Sequence, residues 1–399
     1  MKIAVVHLSF TLESGNPRLA LSLAQAYKSL GHEVIVYTTE FDPNCFPKLN
    51  RGLDIRVVSS AGQFSSATVG AGIFSKIYRR VRKVIISGRI ARAIVEELPA
   101  DVDLLDCQND DSYKVGLYYK KINPRTKVAW VMYNPPFYHF TKSNFIFDIG
   151  SRIFAWWEYR TVRKYSKGID LVVTDDKEKE EPFKKLELST MLMPIPVDFD
   201  NFYAPVKSVI GKGQPIVLFG AGGLSITRRF EDIISAVAIL RKQGYDAKAT
   251  IICKDYWADS NYRKQFNQFI EESGVEDHID AHFNGAGEDE FVKILKSSSI
   301  FVFPNNVKIW GMTIFEAMAA GLPVIVSRAT PAVEFLSEGE NALFVNPERP
   351  DEIAEKVMKL SDELSFAKKL AENGQKYVKD NLSWKKYAQE IINFKPNKK

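Results

Sequence analysis

The stretch of this 399-residue chain best suited to chemistry runs from Phe301 to Ser327. It reads as a buried strand ending at Pro304, a loop closed by Gly311, a helix carrying Glu316, then Gly321-Leu322-Pro323 and another strand. In an open parallel sheet, ligands collect at the carboxyl ends of the strands. A helix starting just after Gly311 would turn its unbonded first-turn N–H groups, at Met312 and Thr313, toward that edge. Those groups carry partial positive charge and suit a diphosphate. Gly311 is expected to let the ligand approach closely, because no Cβ intrudes. Glu316, one turn into the helix, offers a carboxylate that can accept from both hydroxyls of a ribose. The plainer alternative is a short buried helix with a solvated or ion-paired glutamate.

Other residues of the right type lie near predicted strand ends. Arg228 and Arg229 open a helix after Gly220-Ala221-Gly222-Gly223. A cation there opposes the helix dipole, which points toward an anionic ligand over an exposed helix start. In the first half, Asp106, Gln108, Asn109, Asp110 and Asp111 cluster at a strand end, and Asp110 is the candidate for acceptor binding or proton transfer. A solvated acidic loop is equally compatible with that run. Tyr133-Asn134-Pro135-Pro136 follows another strand. His7 closes the first strand, as a core or a functional histidine. Cys45, Cys107 and Cys253 are isolated, so zinc and a disulfide framework are both disfavoured and a reducing compartment is the default. No metal-ligand cluster is visible, and no metal or other cofactor is expected.

Alternating elements must hold these groups. Ile3 to Leu8 is an apolar run fit for a buried parallel strand. Leu19, Leu21, Leu23, Ala24 and Tyr27 recur at helical spacing, Gly31 stops the helix, and Glu33 to Thr38 is a second strand. Further strands are predicted at Asp54 to Val58, Leu104 to Cys107, Val128 to Met132 and Leu171 to Thr174. Met193 to Asp198 breaks the pattern and reads as a linker. A second alternation follows, with strands at Pro215 to Phe219, Lys248 to Cys253, Ile279 to Phe283, Ile300 to Phe303 and Pro323 to Ser327. Helices are predicted at Arg229 to Gln243, Gln265 to Ser273, Glu288 to Ser297 and Thr313 to Ala320. Ser383 caps a last helix with Trp384, Tyr387, Ile391 and Ile392. The whole is an α/β chain with two doubly wound parallel-sheet domains, 1–200 and 201–380, and residues 381–399 packing back on the first.

Trp310-Gly311-Met312-Thr313-Ile314-Phe315-Glu316-Ala317-Met318-Ala319-Ala320-Gly321-Leu322-Pro323-Val324-Ile325 closely resembles the donor-site signature of GT-B glycosyltransferases of group 1, the retaining family four. His32-Glu33-Val34, Met193-Pro194-Ile195-Pro196-Val197-Asp198 and Ser383-Trp384 are similar to other parts of the same family. Phe41 to Phe46 resembles mannosyltransferases that extend lipid-linked oligosaccharides. The resemblance implies two Rossmann-like domains facing across a cleft. It implies transfer of a hexose, of mannose or glucose type, from GDP-mannose or a UDP-sugar to a glycan or lipid-linked acceptor, with retention. It places Gly15, Arg228, Arg229, Gly311, Met312, Thr313, Glu316 and Glu334 at the donor, and Lys308, Asn134 and Asp110 at the reacting groups. Glu334 could instead simply cap the turn that holds it.

Two positions depart from the family. Lys308 stands where the family has its first glutamate, and a lysine cannot copy an acceptor role. Gly223 stands where the family usually has arginine. Both motivate the rival reading of a degenerate protein that binds nucleotide-sugar or glycan without turnover. A dehydrogenase is disfavoured, since no G-x-G-x-x-G follows the first strand.

Phe74 to Leu98 is basic and amphipathic, with Lys76, Arg79, Arg80, Arg82, Lys83, Arg89 and Arg92. This pattern fits a peripheral membrane element as well as a surface helix whose arginine stems cover the core. Trp156 and Trp157 could add an interfacial anchor. Nowhere do about 18 apolar residues run uninterrupted, so no transmembrane helix is expected. A cytoplasmic protein, at the inner membrane face if the basic helix engages lipid, is the resulting expectation. Net charge is only +5, which gives no support to a nucleic-acid partner.

Overall fold

The computed structural model describes residues 1–59, 86–133, 156–206, 215–255 and 260–395. They form two compact units: Met1–Met193 with Trp384–Lys399, and Pro194–Ser383.

The first unit runs β1 (Lys2–Val6), β2 (Ser9–Phe10), α1 (Gly15–Ser29), β3 (Glu33–Thr38), β4 (Glu40–Phe41), α2 (Pro47–Asn50), β5 (Asp54–Val57), α3 (residues 86–97), β6 (Leu104–Gln108), α4 (Lys114–Tyr119), β7 (Lys127–Val131), α5 (residues 156–165), β8 (Leu171–Thr174), α6 (Lys177–Lys184) and β9 (Thr190–Leu192). Its main sheet has the order β5-β3-β1-β6-β7-β8-β9, and every pair is parallel. The apolar run Ile3 to Val6 is fully buried because helices cover both faces. On one face Tyr113 stacks on Trp130 with centroids 4.2 Å apart, and Phe183 meets the same indole edge-on at 5.3 Å.

The second unit runs α7 (Phe199–Phe202), β10 (Ile216–Gly223), α8 (Phe230–Lys242), β11 (Ala247–Lys254), α9 (Ser260–Glu272), β12 (Ile279–His282), α10 (Glu288–Ser297), β13 (Ile300–Phe303), α11 (Met312–Ala319), β14 (Val324–Ser327), β15 (Leu343–Val345), α12 (Pro350–Asp362) and α13 (Leu364–Asn381). Its sheet has the order β12-β11-β10-β13-β14-β15, again parallel throughout. The chain then returns to the first unit as α14 (Trp384–Asn393). Tyr387, Ala388 and Ile391 form the buried stripe of α14, and Lys127 Nζ donates to the Ile392 carbonyl at 2.8 Å.

One strand is longer than its sequence suggests. The glycines Gly220 to Gly223 are not a loop: β10 pairs with β11 as far as Gly223 opposite Lys254. A Cβ on Gly220 would come within 2.6 Å of Ile233 Cδ1, so this glycine lets α8 lie close against the strand.

Candidate functional site

The loop from Pro304 to Gly311 leaves β13 at the carboxyl edge of the second sheet and delivers α11. Gly311 adopts φ 75°, a left-handed conformation that favours glycine. A Cβ there would lie 2.6 Å from Phe303 Cζ and 2.9 Å from Ile314 Cδ1. Glycine is therefore required at this position by packing within the protein itself. What it makes room for is the Phe303 ring, which fixes how α11 starts.

Phe303 also organises the cation. The guanidinium carbon of Arg228 sits 5.5 Å from the Phe303 ring centroid. A Cβ on Gly222 would approach that same carbon to 3.1 Å, so Gly222 leaves the space the arginine occupies. The two loops are also tied directly, since Asn306 N–H donates to the Thr227 carbonyl at 3.2 Å. Arg228 and the start of α11 thus share one aromatic floor at the ends of the neighbouring strands β10 and β13. The first-turn N–H groups of Met312 and Thr313 lack intrahelical acceptors by helix geometry.

Arg229 separates from this arrangement. It takes a left-handed φ of 55° at the start of α8. Its Nε and Nη2 donate to the two carboxylate oxygens of the buried Asp232 at 3.1 and 2.6 Å. The guanidinium expected at the donor is held instead as a fork on the first turn of its own helix.

Glu316 lies in the middle of α11 and is 2% exposed. Lys308 is half-buried in the loop, Met312 and Thr313 are half-buried, and Glu334 is exposed on a 3-10 turn, Pro331–Phe335. Trp310 stacks on Phe315 at 5.3 Å and meets Phe335 edge-on, so the loop is anchored two residues after Lys308. Gly15 belongs to the first unit, where it begins α1; the space around its Cβ position is open. Asp110 opens a 3-10 turn, Asp110–Tyr113, just after β6. Asn134 lies outside the described residues, as do Phe74 to Ile85 of the basic stretch.

Sequence reasoning missed Asn305. It is 1% exposed, and neither its carboxamide oxygen nor its nitrogen finds a hydrogen-bond partner. An unmet buried amide costs about 1–3 kcal/mol, and such groups usually meet a ligand or ordered water. The polar pair after Pro304, at the carboxyl end of a buried strand, was the available signal.

The first unit holds a second buried polar group. Asp106, fully buried in β6, accepts from Tyr27 Oη at 2.9 Å and from Gln108 Nε2 at 2.7 Å. Burial pushes its carboxyl up to about 7. Asp175, after β8, pairs with Lys179 Nζ at 3.0 Å, yet burial still pushes it up to about 6. Burial, with the charges of these two aspartates, also raises the phenols of Tyr133 and of Tyr387 on α14. Among the described residues, no three His, Cys, Asp or Glu side chains gather as a metal site.

The fold is shared with solved GT-B glycosyltransferases. A HepE protein of Anabaena, solved with UDP and glucose, superposes with a TM-score of 0.72 at 16% identity, over 98% of each chain. A sucrose-phosphate synthase of Thermosynechococcus elongatus gives 0.72 at 15% identity, over 98% of this chain and 97% of that one. Within that fold, residues 204–377, which lie in the second unit, match the family Glycosyl transferases group 1. An uncharacterized glycosyltransferase of Methanocaldococcus jannaschii is 33% identical over 105 residues, 26% of this chain and 27% of the relative. An MMP alpha-(1->4)-mannosyltransferase of Mycolicibacterium hassiacum is 27% identical over 126 residues, 31% and 30% of the two chains. The chain thus spans under a third of the length of either curated relative.

Proposed function

We propose that this protein transfers a hexose, of mannose or glucose type, from GDP-mannose or a UDP-sugar to a glycan or lipid-linked acceptor, with retention at the anomeric carbon. The observation that carries the reading is the shared Phe303 floor: Arg228 and the amino end of α11 meet at one carboxyl edge of a parallel sheet. Breaking the bond between sugar and diphosphate leaves negative charge on the departing diphosphate. Preset N–H dipoles and a cation stabilise that charge more than they stabilise the intact donor. Met312 and Thr313 supply the N–H groups, Arg228 and Lys308 the positive charge, and no metal is required for this task. Glu316 receives the ribose hydroxyls, and Gly15 and Glu334 complete the donor contacts. Lys308, Asn134 and Asp110 act at the transferred sugar and the acceptor. The protein works in the cytoplasm.

The HepE protein solved with UDP and glucose supports a nucleotide-sugar donor, and the mannosyltransferase relative supports mannose among the hexoses. The test is a thermal-shift screen with GDP-mannose, UDP-glucose and their diphosphates, followed by release of nucleoside diphosphate with candidate acceptors. One donor should raise the melting temperature, and Glu316→Ala should weaken its binding and turnover together. An unchanged response in that variant would remove the site assignment.

A further inference from the structure

We propose that the outer face of α5, together with Arg92 and Lys121, is a docking surface for an anionic lipid bilayer. Trp156 opens the described part of this helix and is 57% exposed. Trp156, Arg160 and Lys164 follow at four-residue spacing, so they line one stripe. The Arg160 guanidinium carbon lies 4.7 Å from the Trp156 ring centroid. Trp156, Trp157, Arg160, Thr161 and Lys164 enclose a surface recess of about 320 Å³.

The stripe continues onto neighbouring elements. Tyr165, at the end of α5, meets Tyr118 of α4 through their hydroxyls at 3.1 Å. Lys164 Nζ lies 5.7 Å from the Tyr165 ring. Arg92 of α3 and Lys121 lie 5.2 and 5.8 Å from the Tyr118 ring. Arg92, Lys121, Arg160, Arg163 and Lys164 are all exposed. The single acidic residue in the described part of α5, Glu158, has its Oε2 buried. The face is therefore positive and aromatic at once.

That pairing selects the occupant. Cations gain energy near an anionic leaflet, and an exposed tryptophan settles at the headgroup level, where one side is apolar and the other wet. A soluble polyanion would use the cations and leave the indole in water. The amino-terminal part of the basic stretch, expected to make this contact, lies outside the described residues; of that stretch, Arg92 contributes here. The inference does not rest on the transfer reaction.

The experiment is co-sedimentation of the full chain with vesicles of phosphatidylcholine alone or mixed with phosphatidylglycerol. The mixed vesicles should carry the protein down, and added salt should release it. Arg160→Ala with Lys164→Ala should weaken partitioning by about fivefold per charge removed, with an unchanged melting temperature. Brominated lipid should quench tryptophan emission in the parent, and less so in Trp156→Phe, a change that keeps an aromatic ring for folding. Equal binding to neutral vesicles, no binding to either, equal binding by the double variant, or retention on heparin without vesicle binding would each overturn the proposal.

Discussion

Phe303 is the residue on which the proposed donor site turns. Its ring sets the glycine requirement at Gly311 and lies under Arg228. Gly311→Ala meets both a left-handed backbone and an occupied volume, so it should lose roughly 1–3 kcal/mol of stability, read by chemical denaturation; a neutral result would contradict the geometry. Two adjacent arginines should behave oppositely. Arg228→Ala should weaken nucleoside diphosphate binding about tenfold, the loss of one charge-assisted contact. Arg229→Ala should instead loosen the start of α8, leaving Asp232 buried without its fork, and change affinity little. Titration calorimetry on both variants separates these outcomes. This division was not legible in the sequence. Both arginines sit at a helix start, and only packing sends one to Asp232 and the other over an aromatic ring. The helix carrying Glu316 was legible, because strand, glycine, helix and Gly-Leu-Pro follow in an order that few folds use.

At the scale of elements, strands made of apolar runs could be read directly, while short or glycine-rich ones could not. β9 has three half-buried residues, too few for periodicity. β10 continues through glycines that local propensity assigns to a turn. The cluster under α1 and α14 was equally hidden, since Tyr27, Asp106 and Tyr387 are distant in sequence. It makes a pH prediction. Asp106 and Asp175 bind protons in the folded state up to about pH 7 and 6, whereas in the unfolded chain they lose them near 4. The folded form holds more protons across that window, so these groups contribute stability that is full below about pH 4 and is lost as pH rises toward 7. Each changes stability by about 1.4 kcal/mol per pH unit at most. Asp106→Asn removes one titration, so its melting temperature should fall less between pH 5 and 8 than the parent's. An identical fall in both proteins would show that Asp106 keeps an ordinary carboxyl.

At the scale of the whole molecule, each unit has its own apolar core. One is built around Trp130, Tyr113 and Phe183, the other around Phe230, Phe266 and Val302. Separate cores can melt separately. Calorimetry with saturating donor should raise the transition of the second unit, which carries Arg228 and α11, by mass action. A donor that raised only the first unit's transition would place the nucleotide elsewhere. The path of the backbone has a further consequence. Because α14 belongs with residues 1–193 but is encoded after residue 383, the ribosome makes the entire second unit before it makes the helix that covers Tyr27. A nascent first unit must therefore wait, with its α1 face uncovered, through nearly two hundred further codons. The later-encoded unit has all its parts first, so it can mature before the one that was begun earlier.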